Sequence, residues 1–107
     1  MTLNMRSGLL AAALISPLLA QAVEPAQCDV IRFADVGWTD ITVATAVTRQ
    51  VLSDLGYRTQ VKRLSVPDTY KAMQDGKVDV FLGNWLPSME NDIKPYTTNG
   101  SATTPGA

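Results

Sequence analysis

The sequence contains no histidine and a single cysteine, Cys28. Without histidine there is no Ser-His or Cys-His pair to activate a nucleophile, and the commonest zinc ligand is missing. A basic excess is absent too: nine Lys and Arg stand against ten Asp and Glu, a net charge of −1. A protein that binds a phosphate backbone needs a basic stripe to release counterions, and scattered Lys and Arg do not supply one. No nucleic acid partner is expected. After residue 22 no apolar run approaches the ~18 residues that a membrane span needs. Nor does the pattern place two carboxylates to face one another, so no acid-base arrangement for an enzyme is present.

The residues that are present begin with an export signature. Arg6 supplies a positive start, Gly8 to Leu19 form an apolar stretch, and Ala20-Gln21-Ala22 reads as a small-x-small cleavage site. Residues 1–22 are therefore expected to be a cleavable signal peptide, and the mature chain to be periplasmic with a net charge of −2. Cys28 lies six residues beyond that cleavage site. An odd cysteine in an exported chain is a free thiol or has a partner outside this sequence.

The mature chain then alternates strand and helix signals. Val30 to Ala34 is a compact apolar run, suited to a strand covered on both faces. Ile41, Ala44, Val47, Val51 and Leu55 recur at helical spacing, with Arg49, Gln50 and Asp54 assigned to the wet face. Thr39 or Asp40 can cap that helix and Gly56 can end it. A charged second strand is predicted over Tyr57 to Val66. A short helix follows, opened by Ser65 and Pro67 and closed by Asp75-Gly76, and a third strand is predicted over Val78 to Leu82. From Thr97 to Ala107 no apolar period remains, which predicts a disordered tail. No helix is predicted after the third strand.

The β-α-β-α-β order predicts an α/β fold with a three-stranded parallel sheet built by right-handed crossovers. In such a sheet the first and third strands lie side by side, the second lies outside the first, and a ligand crevice forms beyond their carboxyl ends. Two similar turns leave those ends: Asp35-Val36-Gly37-Trp38-Thr39-Asp40, and Gly83-Asn84-Trp85. Trp38 and Trp85 are then either core packing or two walls of one pocket. Asp40 is a first-turn partner of the helix dipole or a countercharge for a bound cation. Two aromatic faces beside a carboxylate suit a quaternary ammonium group, which has no N–H to donate and is held by ring faces.

The stretches Phe33-Ala34-Asp35-Val36-Gly37-Trp38-Thr39-Asp40-Ile41-Thr42 and Asp79-Val80-Phe81-Leu82-Gly83-Asn84-Trp85-Leu86-Pro87 carry a family resemblance. They closely resemble the periplasmic substrate-binding proteins of ABC importers for choline and glycine betaine, nearest the choline-binding branch. The resemblance implies a periplasmic-binding-protein type II lobe and a two-lobed clamp that closes on a trimethylammonium ligand, with no catalysis, cofactor or metal. Importer membrane subunits are the implied partners of a completed clamp. It makes Trp38 and Trp85 ligand-binding walls and Asp40 the acidic residue beside them, and likens Cys28 to an early cysteine whose disulfide partner lies far downstream. Residues 23–96 then form a partial first lobe, and the chain is expected to be an N-terminal fragment with weak or no binding alone. The alternative is a small exported interaction module that pairs its open sheet edge with a partner chain.

Overall fold

The structure, a computed structural model, describes residues 29–106. The expected signal over residues 1–22 and the lone Cys28 lie outside the described residues. The described elements are β1 (Val30–Asp35), α1 (Thr39–Asp54), β2 (Arg58–Arg63), α2 (Val66–Gln74), β3 (Val80–Phe81) and α3 (Glu90–Thr98). They form a parallel sheet in the order β2-β1-β3, the strand order that the alternating pattern predicts. Val30 to Asp35 run in register with Arg58 to Arg63 on one side. On the other, Phe33 pairs with Val80 and Ala34 with Phe81. Phe33 and Ala34 are buried as a central strand requires, whereas β2 is largely exposed and its charged residues suit an outer edge. No described helix is long and apolar enough to cross a membrane.

β3 is shorter than predicted because a side chain takes over where the strand would have begun. The Asp79 carboxylate accepts from the backbone N–H of Arg32 at 2.8 Å, and from its guanidinium at 3.0 and 2.8 Å. The Asp79 N–H donates to the Arg32 carbonyl at 2.8 Å. One residue thus joins the sheet through both backbone and carboxylate, and regular pairing starts only at Val80. The hydrogen bonds from Arg32 hold the Asp79 carboxyl below its ordinary range.

α1 presents a different face to the sheet than its apolar spacing predicts. Ile41 and Thr45 are buried, while Val43, Val47, Val51 and Leu55 are all more than half exposed. Arg49, assigned to the wet face, turns toward β2, where its Nε donates to Thr59 Oγ1 at 2.9 Å. The helix is seated by its first turn and by this bond, so counting apolar residues selects the wrong stripe. Among the described residues no element covers the outer stripe.

α2 opens as expected, with Ser65 Oγ accepting from the Asp68 N–H at 3.2 Å. α3 is the helix that the sequence did not suggest. Pro95 lies within it and cannot donate to the carbonyl of Asn91, a modest loss where Asn91 is exposed to water. α3 packs against α2: Tyr96 stacks on Tyr70 at 5.7 Å, and Ile93 is buried. The expected tail from Thr97 is corrected accordingly, since Thr97 and Thr98 close α3. Beyond them Ala102 is buried, its N–H donating to the Tyr96 carbonyl at 3.1 Å, and Asn99 Oδ1 accepts from the Ser101 N–H at 2.9 Å. These local bonds need no apolar period. The core joins Ala34, Ile41, Tyr70, Phe81, Ile93 and Ala102.

Two measurements test this packing. Thr45 Oγ1 is buried without a hydrogen-bond partner. Thr45→Val keeps the shape and removes that group, and is expected to raise the unfolding free energy by about 1 kcal/mol in urea titrations; a loss of stability would show that the hydroxyl is satisfied. The Asp79 carboxyl, depressed in the folded chain, contributes stability above the unfolded carboxylate pKa, and this is lost as pH falls through the depressed value. Asp79→Asn is therefore expected to show a shallower acid dependence of its urea midpoint than the parent chain, and equal slopes would overturn the role of the Arg32 pair.

Candidate functional site

The first tryptophan turn is built on a buried carboxylate. Asp35, the last residue of β1, is only 6% exposed. Its Oδ1 accepts from the Gly37 N–H at 2.8 Å, and the Thr42 hydroxyl donates to both oxygens at 3.1 and 2.9 Å. Arg63, at the end of β2, brings its Nη2 to 4.0 Å from Oδ2. The chain turns at Gly37 with φ 90°, and a Cβ there would run into the Arg63 guanidinium. The left-handed backbone requires glycine, while the exposed guanidinium could shift aside.

Trp38 then takes the N-cap position of α1, and its carbonyl accepts from the Thr42 N–H at 2.8 Å. Neither Thr39 nor Asp40 caps the helix. Both lie inside its first turn, and the side chain that ties strand to helix is that of Asp35. Asp40 remains exposed in that first turn, where the unpaired N–H groups favour negative charge.

The second turn leaves β3 as Leu82-Gly83-Asn84-Trp85, ahead of a cis Leu86–Pro87 peptide. Gly83 is buried, and a Cβ on it would stand 2.7 Å from Phe81 Cε1 and 3.3 Å from Ile41 Cγ1. The second turn therefore packs closely on the Phe81 ring, with the Ile41 side chain of α1 beside it. Asn84 Oδ1 accepts from the Tyr70 hydroxyl at 2.7 Å. The Trp85 N–H points to Met89 Sδ at 3.3 Å, and its carbonyl accepts from the Met89 N–H at 2.7 Å.

The two turns thus leave neighbouring strands on the same side and meet through Gly83 and Ile41. Both tryptophans stand outside the core, Trp38 41% and Trp85 54% exposed. Aromatic faces left in water are groups against which a cation can rest, and Asp40 is an exposed carboxylate in the first turn of α1. A cavity of about 610 Å³ runs along β3 and residues 103–106 and is lined in part by Tyr70, Asn84 and Leu86, but by none of Trp38, Asp40 or Trp85. Sequence reasoning gave Asp35 and Arg63 no role of their own and left Tyr70 structural. An aspartate two residues before a glycine turn is a local signal for the first, since Asp side chains bond the backbone two residues on. The Tyr70–Asn84 and Asp35–Arg63 pairs depend on packing between elements and have no local signal.

Known proteins resemble this chain in family and in fold. Residues 29–105 match the family described as the substrate binding domain of ABC-type glycine betaine transport system. A relative from Chromohalobacter salexigens, designated uncharacterized protein ORF1, is 44% identical over 91 residues, covering 85% of this chain and 59% of the relative. A solved ABC-transporter choline binding protein in complex with choline superposes with a TM-score of 0.70 at 55% identity, over 72% of this chain and 27% of that one. The same description in an unliganded semi-closed conformation gives 0.63 at 55% identity, over 68% and 25%. The chain spans about a quarter of the length of these solved proteins.

The close packing around Gly83 can be tested directly. Gly83→Ala forces a methyl group against the Phe81 ring and Ile41, and is expected to cost about 1–3 kcal/mol in urea unfolding. An unchanged midpoint would mean that the Phe81 ring and Ile41 yield to the methyl group without cost.

Proposed function

As the chain belongs to the family of substrate-binding domains of ABC-type glycine betaine transport systems, we propose that Trp38, Asp40 and Trp85 form one side of a site for a quaternary ammonium solute. The observation that carries this reading is the pair of half-exposed tryptophans on strand-end turns that touch through Gly83 and Ile41. Choline or glycine betaine is the ligand class. Its cationic head rests on the indole faces, and Asp40 supplies the countercharge. The work is reversible binding for an ABC importer in the periplasm, with the membrane subunits as partners of the loaded protein. The choline-bound state described for a 55% identical protein supports choline as the first ligand to test.

Magnitudes limit what these three residues achieve alone. Each ring contributes roughly 0.5–2 kcal/mol, and an exposed charge pair about 0–1 kcal/mol. A dissociation constant of about 1 mM already corresponds to about 4 kcal/mol, before the cost of immobilising the ligand is offset. An open surface with two walls therefore binds in the millimolar range or more weakly. Tight retention needs further walls and the exclusion of water, which a closing second lobe provides.

Calorimetric or NMR titration of the 107-residue chain with choline and with its uncharged tert-butyl isostere tests the proposal. Weak, saturable choline binding is expected, abolished by Trp38→Ala or Trp85→Ala and absent for the neutral isostere. Equal binding of the isostere would remove the cation–π basis, and submicromolar choline affinity would overturn the half-site.

A further inference from the structure

Trp85 is more than half exposed, so packing of its own side chain does little to fix where the indole stands. Its backbone is tied to Met89 within the same turn, and one of those ties is to a thioether, a weak acceptor. The strong polar anchor from outside the turn is the 2.7 Å bond from the Tyr70 hydroxyl to Asn84, the residue immediately before Trp85. Tyr70 is itself clamped. It is 1% exposed, edge-on to Phe81 at 5.8 Å and stacked on Tyr96 at 5.7 Å. The donor thus stands on a ring held by β3 and α3, and a short bond from it leaves Asn84 little freedom.

We propose that Tyr70 is a positioning residue for the second tryptophan turn, its hydroxyl holding Asn84 and so fixing where Trp85 stands. The assignment of Trp85 to a cation site is the premise that gives this positioning its function. Burial first, and the charge of Asp92 second, push the Tyr70 hydroxyl up to about 12, so it remains a protonated donor at any physiological pH. Phenylalanine at position 70 would keep the stacking and remove only the anchor.

The chain has two tryptophans, so Trp38→Phe leaves Trp85 as the sole reporter and Trp85→Phe leaves Trp38. Acrylamide quenching and fluorescence anisotropy are read without ligand in each background, with and without Tyr70→Phe. Loss of the bond is expected to shift the ordered-to-loose ratio of the turn about fivefold, seen as stronger quenching and lower anisotropy of Trp85 while Trp38 is unmoved. Asn84→Ala is expected to give the same shift, with no further change in the double variant. A Trp85 signal unmoved by either variant, or equal movement of both reporters, overturns the proposal. Choline titration of Tyr70→Phe in the chain with both tryptophans is expected to show about fivefold weaker binding. If choline binds neither form, the cation reading fails while ligand-free quenching still decides the positioning role.

Discussion

A carboxylate taken out of water must be met by donors, and Asp35 is the one buried carboxylate among the described residues. It meets them by drawing three elements to the end of the central strand. The Gly37 N–H comes from the turn, the Thr42 hydroxyl from α1, and the Arg63 guanidinium approaches from β2. The glycine at 37 goes with this turn, because the backbone that brings its N–H to Asp35 has φ 90°. Replacing Asp35 would release strand end, turn and helix start together.

The second turn is placed by the sheet. Because β3 lies beside β1, its chain emerges next to the Asp35 turn, and the missing side chain at Gly83 lets its backbone settle onto Ile41. Two turns with separate sequence origins thereby become one surface. The polar anchors differ, a carboxylate for the first and a tyrosine–asparagine pair for the second, but the construction is the same. In each, a buried polar group holds backbone or a neighbouring residue, and an indole is left in water.

Much of this was legible because it depends on order and turn chemistry. Strand and helix alternation gives the strand order through the handedness of crossovers, and glycine beside tryptophan at two strand ends marks the turns. What was not legible depends on side chains substituting for one another. Asp79 replaces a stretch of backbone pairing, so β3 is shorter than its apolar run. Thr45 and Arg49 face the sheet on α1, so a count of apolar residues chooses the opposite stripe. Pro95 reads as a breaker although a single exposed carbonyl absorbs its missing donor, and Ala102 is buried by bonds that leave no periodic trace.

Exposure alone would not distinguish the tryptophans from the outer stripe of α1, since Val47 and Val51 are as uncovered as Trp85. The difference lies in how each is held. The valines project from a regular helix whose geometry would be the same whatever side chains it carried, so nothing about their placement is specified beyond helical pitch. Trp38 and Trp85 stand on irregular backbone that glycines permit and that Asp35 and the Tyr70–Asn84 pair hold in place. Irregular backbone costs conformational entropy to order, and a buried polar anchor costs desolvation. That difference in how they are held is why the turns, and not the stripe, are proposed as the half-site.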